Sequence, residues 1–145
     1  MRTITLTALT LTLAAGCMER CATNALPALP GLAGWAEVQL GDRPFTLCLA
    51  ARAVVNSTIA RHAAHRGWRL EVVNARTNHV HCVLSMATVP PEVVLRELKA
   101  WSTRDLRAAG LLGATQRAWT RHGSTRYLWN EENLLAAIRY VRDGQ

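Results

Sequence analysis

The chain has 145 residues, the size of one domain, and half of its residues are apolar, so it can bury a core and is not a disordered polymer. It carries 17 basic and 10 acidic residues. Residues 1–50 hold three of each sign, so the net charge of +7 lies in residues 51–145. Arginine supplies all but one of the basic groups. Its planar guanidinium suits phosphate, so the charge indicates either a polyanionic partner or simply an arginine-rich composition.

The N-terminal segment, residues 1–49, has two interpretations. Arg2 followed by the uncharged residues 3–16 resembles a short secretory or lipoprotein signal that ends at Cys17. Residues 3–13 also alternate with period two, apart from one slip, as a half-buried first strand does. No stretch reaches the roughly 18 apolar residues that span a membrane. We expect a cytoplasmic protein without a membrane partner, and export stays the alternative.

The remaining residues predict helices and strands in alternation. A helix runs from about Ala50 to Arg66 and ends at Gly67, where glycine is a common C-terminal residue. The other elements are two hairpin strands (Trp68–Val73 and His79–Ser85), a helix from Pro90 and Pro91 to about Ala109, an extended piece (Trp119–Trp129) and a last helix with Asn130 as N-cap. This order predicts an α+β fold, a ferredoxin-like antiparallel sheet with helices packed on one face.

The segment NHVHCVLS places two histidines at alternate positions of a predicted strand. Alternate side chains share one face of a strand, so His79 and His81 project together while Val80, Cys82 and Leu84 face the core. Two imidazoles on one face can bind a divalent ion if a third ligand arrives from elsewhere. Two solvent-facing histidines on an edge strand would give the same pattern.

Tyr140 lies on the last predicted helix but outside its apolar stripe. At 100° per residue, Leu134, Ile138 and Val141 fall within a narrow arc, and Tyr140 lies about 130° from its centre. The side chain therefore faces a cleft or solvent. A tyrosine can act as a covalent nucleophile when its proton is removed or a metal polarises the electrophile beside it.

Two segments combine arginines with aromatic and hydroxyl residues. The segment 119–129 contains Arg121, Ser124 and Arg126 between aromatic residues, a composition that suits phosphates and stacked bases. On the preceding helix, Lys99, Arg104 and Arg107 are expected to form an exposed basic face. The alternative is that the aromatic residues are core and the arginines are merely solvated.

Taken together, the segments NHVHCVLS, ELKAWSTRDLR and WTRHGSTRYLWNEENLLAAIRYVRDGQ resemble the single-tyrosine HUH transposases, especially the REP-associated tyrosine transposases and their insertion-sequence relatives. The resemblance covers residues 50–145, an HUH transposase-like domain, and leaves residues 1–49 unmatched. It implies that His79 and His81 bind Mg²⁺ or Mn²⁺ and that Tyr140 attacks DNA to form a 5′-phosphotyrosine.

The resemblance also implies a third metal ligand one helical turn after the tyrosine. That position is Gly144, and the polar Gln145 follows it, so Gln145 is the candidate third ligand. The implied partner is single-stranded or hairpin DNA, bound by Arg121, Ser124 and Arg126, and by Lys99, Arg104 and Arg107. The protein would act as a monomer or a homodimer.

A second function fits the same residues. An inactive nucleic-acid-binding module would keep the sheet and the basic surface without cleaving DNA. Nicking by the purified protein in the presence of metal separates the two functions.

Overall fold

The structure is a computed structural model that describes residues 5–12, 45–86 and 89–143. Within these residues the chain forms four strands and three helices in the order β-α-β-β-α-β-α. They are β1 (Thr5–Thr12), α1 (Leu49–Arg66), β2 (Arg69–Ala75), β3 (His79–Met86), α2 (Pro91–Ala108), β4 (Ser124–Leu128) and α3 (Glu131–Asp143). None of the described helices is long and apolar enough to cross a membrane.

The four strands form one antiparallel sheet in the order β2-β3-β1-β4. The α+β class and the ferredoxin-like arrangement are therefore confirmed. Of the two interpretations of the N-terminal segment, the structure realises the strand, because Thr5–Thr12 lies in the sheet between β3 and β4. In this register Thr10 is opposite His81 on one side and Ser124 on the other.

Local sequence signals explain where the helices begin and end. Gly67 adopts the left-handed conformation after α1, with φ of 69°, and Gly110 does so after α2. Pro91 opens α2, where a missing N–H costs nothing. The Asn130 side chain accepts a hydrogen bond of 2.8 Å from the N–H of Asn133, so the predicted N-cap of α3 is confirmed.

The two faces of the sheet are covered differently. The larger core lies between the sheet and the helices α1 and α2, and it includes Val55, Ile59, Val80, Cys82, Leu84, Val94 and Leu98. A smaller cluster on the other face joins Val83, Leu128 and Val141, and this cluster attaches α3. The expected packing of helices on one face therefore holds for α1 and α2, whereas α3 crosses the opposite face. A third helix cannot share the first face because α1 and α2 already cover its apolar residues.

Candidate functional site

A cleft of about 390 Å³ lies where α3 crosses the sheet. It is lined by His81 from β3, by Ser124 and Arg126 from β4, and by Asn133 and Tyr140 from α3. Strand alternation explains this arrangement, because His81 follows the face of Val83, and Ser124 and Arg126 follow the face of Leu128. No carboxylate is among the described residues that line the cleft. The site is therefore suited to a negatively charged ligand.

The two histidines of β3 lie side by side. The ring centroids of His79 and His81 are 4.6 Å apart, and the rings meet edge to face at 61°. The Nδ1 of His79 is 2.6 Å from the side-chain oxygen of Asn78. An amide oxygen only accepts, so Nδ1 carries the proton, and in this tautomer the lone pair that could ligate a metal is on Nε2.

The surroundings of His81 favour its neutral form. Its pKa lies below the ordinary value, first because partial burial penalises the imidazolium, and then because His79 and Arg76 add positive charge nearby. A neutral imidazole offers a lone pair, which is the form that ligates a metal. The electrostatics of this residue thus agree with a ligand role.

Tyr140 reaches the same cleft from α3. Its ring centroid is 5.9 Å from that of His81, at an interplanar angle of 65°. The side chain is 55% exposed, whereas the next residue, Val141, is buried in the small cluster beneath α3. The structure therefore brings together the three residues on which the sequence-based mechanism depends, with the tyrosine hydroxyl on an accessible side chain.

The residues predicted to contact DNA divide into two groups by position. Ser124 and Arg126 line the cleft, and Arg121 is exposed in the loop that leads into β4. Arg104 and Arg107 belong to α2, which covers the opposite face of the sheet. Arg104 lies over the ring of Trp101 at 4.6 Å. Arg107 donates to the main-chain oxygens of Gly113 and Gln116.

The expectation that Lys99 is an exposed basic residue is wrong. Its ammonium group donates to the main-chain oxygens of Thr120 and His122, at 3.0 and 3.1 Å. Partial burial lowers its pKa below the ordinary value. Lys99 therefore fixes the loop that carries Arg121 by donating to its carbonyl groups. The sequence pattern did not reveal this contact.

Two further residues at the site, Asn133 and Asn74, were not predicted from the sequence. Asn133 precedes Tyr140 by seven residues, and two helical turns place both on one side of α3, a spacing that would have identified it. Asn74 donates a 2.8 Å hydrogen bond from its side chain to the main-chain oxygen of Val141 and so fixes the end of α3. This contact joins residues 67 positions apart, so no local pattern could have predicted it.

The predicted metal site lies only partly within the described residues. Residues 5–12, 45–86 and 89–143 contain no group of three or more histidine, cysteine or acidic side chains that could hold a metal. The candidate third ligand, Gln145, lies outside the described residues, as does Gly144. Cys82 is no rival to Tyr140 as nucleophile, because complete burial raises the pKa of its thiol to about 12.

Two solved structures share this fold. One is a REP-associated tyrosine transposase bound to a REP hairpin, with a TM-score of 0.54 and 13% sequence identity. The match covers 94% of this chain but only 64% of that one. The other is a Deinococcus radiodurans protein assigned as a transposase, with a TM-score of 0.53 and 13% identity over 96% of this chain and 90% of that one. No protein-family model and no curated protein matches the chain. The fold expected from the transposase resemblance is thereby confirmed.

Proposed function

We propose that this protein is a tyrosine transposase that cleaves and rejoins single-stranded or hairpin DNA through a 5′-phosphotyrosine. The observation that carries the proposal is the position of Tyr140, whose ring lies 5.9 Å from that of His81 in a cleft lined by Arg126 and Ser124. The fold shared with two transposases supports it, and one of these is bound to a DNA hairpin.

The chemical step conserves the phosphodiester energy. The Tyr140 hydroxyl oxygen attacks the phosphorus in line, so that an O–P bond forms and the bond to the 3′ oxygen breaks. The proton that the tyrosine loses is balanced by the proton that the 3′ oxygen gains. A 3′-hydroxyl of another strand then attacks the phosphotyrosine, which restores both the phosphodiester and the tyrosine. No nucleotide cofactor is required.

The chain contributes position and charge to this step. Tyr140 is held by a helix that Val141 and the Asn74 hydrogen bond fix against the sheet. Such fixation matters because a displacement of about 1 Å can cost roughly 100-fold in rate. Arg126 and Ser124 offer donors to the phosphate oxygens on the opposite wall of the cleft.

A divalent ion fits the donor set of the cleft. His79 and His81 would hold Mg²⁺ or Mn²⁺, and Gln145, water or the phosphate itself would complete its ligands. Mg²⁺ takes oxygen ligands almost exclusively, so two imidazole nitrogens suit Mn²⁺ better. The bound ion would supply neutralisation of the charge on the phosphate.

The decisive experiment is a denaturing gel for a covalent protein–DNA adduct, with hairpin and single-stranded substrates and with Mn²⁺ and Mg²⁺. We expect Tyr140→Phe to abolish the adduct while DNA affinity is kept. The matched control is Tyr127→Phe, because Tyr127 lies on β4 and stacks on Trp129 at 5.5 Å, away from the cleft wall formed by Arg126. An adduct that survives in Tyr140→Phe overturns the assignment.

The second candidate function is an inactive nucleic-acid-binding module. It is favoured by one observation, the absence of a third ligating histidine, cysteine or carboxylate from the described part of the chain. Under this alternative the unaltered protein would retard DNA on a native gel and form no adduct with either metal.

A further inference from the structure

Arg76 follows Ala75, the last residue of β2, where the hairpin turns into β3. Asn74 is paired with His81 and Ala75 with Val80, and the N–H of Arg76 donates to the main-chain oxygen of His79 at 2.8 Å. The ladder thus continues to a pair between Arg76 and His79. Cross-strand partners point to the same face with Cβ atoms about 4.5–5.5 Å apart, so Arg76 lies on the cleft face of the sheet beside both histidines.

One donor of the Arg76 guanidinium, its Nε, lacks an acceptor. Its Nε is buried and has no hydrogen-bond partner. By contrast, two arginines on the other face have carboxylate partners, since Arg61 pairs with Asp105 and Arg66 pairs with Glu97. A buried donor without an acceptor carries an uncompensated desolvation penalty, which a bound ligand can remove.

The position of Arg76 indicates the chemistry of that ligand. No described carboxylate lines the neighbouring cleft, and the N–H of Arg76 bonds to His79, whose ring is next to that of His81, which faces Tyr140. A guanidinium presents its donors as a planar fork that matches the oxygens of a phosphate. Phosphate is also the group that the proposed reaction must bring to this place.

We propose that Arg76 is a phosphate-binding residue of the cleft and that it holds a non-bridging oxygen of the DNA backbone beside His79 and His81. The proposal rests on the proposed function, because it assumes that DNA enters this cleft. It adds a residue that no sequence motif identified, at the β2 edge of the sheet, whereas Arg126 lies on the other edge strand, β4.

The test measures binding alone, so that it does not depend on cleavage. Affinity for a (dT)20 oligonucleotide is followed by fluorescence anisotropy over a series of salt concentrations in EDTA. We expect Arg76→Gln to weaken binding by about tenfold or more, as for loss of a charge-assisted hydrogen bond. The slope of log K against log salt should fall by about 0.7, the value for one phosphate contact on a single strand.

Two further variants separate charge from packing. Arg76→Met keeps the apolar stem and should lose affinity and slope as Arg76→Gln does. Arg66→Gln removes the same charge from α1, where Arg66 is paired with Glu97, and should keep the slope of the unaltered protein. The melting temperature of the Arg76 variants should be unchanged or higher, because the unpartnered Nε is removed, whereas a structural arginine would lose stability.

The outcomes for the two proposals are distinguishable. Arg76→Met with unaltered affinity and slope, beside an Arg126→Gln variant that loses both, overturns the role of Arg76 and leaves the proposed function intact. An unaltered protein that binds (dT)20 but forms no adduct contradicts only the proposed cleavage. An unaltered protein that fails to bind at low salt contradicts both proposals.

Discussion

His62 and the pair His79 and His81 occupy opposite faces of the sheet and meet different groups. His62 is 7% exposed, its Nε2 lies 2.9 Å from a carboxylate oxygen of Glu97, and its ring stacks on Trp101 at 5.3 Å. These contacts join α1 to α2 and give His62 a structural role. His79 and His81 instead lie next to each other beside Tyr140, in an environment that is consistent with the proposed ligand role.

This contrast yields a prediction at the scale of single residues. Replacing His79 or His81 by alanine should reduce adduct formation at least about 100-fold, since loss of metal-assisted charge neutralisation costs several kcal/mol. DNA affinity in EDTA should stay within a few fold, because phosphate contacts by arginine do not require the ion. His62→Ala is the control, and we expect it to lower the melting temperature while leaving the rate of adduct formation per folded molecule unaltered. Adduct formation that persists in His81→Ala would contradict the proposed metal site.

At the scale of elements, α3 buries a single residue, Val141, whereas α1 and α2 each bury six. It is joined to the sheet by the small cluster of Val83, Leu128 and Val141 and by the hydrogen bond from Asn74 to Val141. Val141 lies in the last turn, where carbonyl groups lack partners within the helix, so Asn74 satisfies an acceptor that would otherwise need water. The position of Tyr140 depends on this contact because the two residues are adjacent.

We therefore expect Asn74→Ala to reduce adduct formation by at least about tenfold through displacement of Tyr140. The free energy of unfolding should fall by about 1 kcal/mol, the net value of one hydrogen bond. Asn56→Ala is the matched control, because the Asn56 side chain accepts a 3.0 Å bond from the N–H of Ala75 on α1's side of the sheet. Urea unfolding should show similar losses of unfolding free energy for both variants, whereas the denaturing gel should show reduced adduct only for Asn74→Ala. Equal adduct rates would remove Asn74 from the positioning of Tyr140.

The sequence predicted those parts of the element structure that depend on local spacing. Period-two alternation placed His79 and His81 on one face, and helical spacing placed Tyr140 outside the apolar stripe. It could not place α3 on the second face, or Lys99 against the loop at Thr120, because these contacts join distant segments. The apposition of Arg76 and His79 depends on the register of the hairpin, which residue type alone does not determine.

At the scale of the whole molecule, acidic residues lie on both faces of the sheet, but none of the described ones lines the cleft. Asp105 and Glu97 of α2 pair with Arg61 and Arg66 of α1, while Glu71 pairs with Arg69 at the start of β2. Arg126 lines the cleft, Arg121 is exposed in the loop before β4, and Arg76 follows the last residue of β2. Glu131, Glu132 and Asp143 of α3 offset part of the positive charge on the cleft face, so the net charge of +7 is not concentrated there. The cleft is distinguished instead by an arginine in its lining with no carboxylate beside it among the described lining residues.

The last prediction uses two double variants of equal net charge. Arg121→Ala with Arg126→Ala, and Arg104→Ala with Arg107→Ala, each lower the net charge from +7 to +5, so a general effect of charge is the same in both. We expect the first pair to lower the salt slope for single-stranded DNA by about 1.4, two contacts at roughly 0.7 each. The second pair should lower it by less than half of that, because α2 lies behind the sheet and its two arginines already contact Trp101 and the carbonyls of Gly113 and Gln116. Equal slopes would mean that DNA responds to total charge alone, and a larger effect of the second pair would place DNA on α2, away from Tyr140. Only the expected order is compatible with a strand that passes through the cleft to reach the tyrosine.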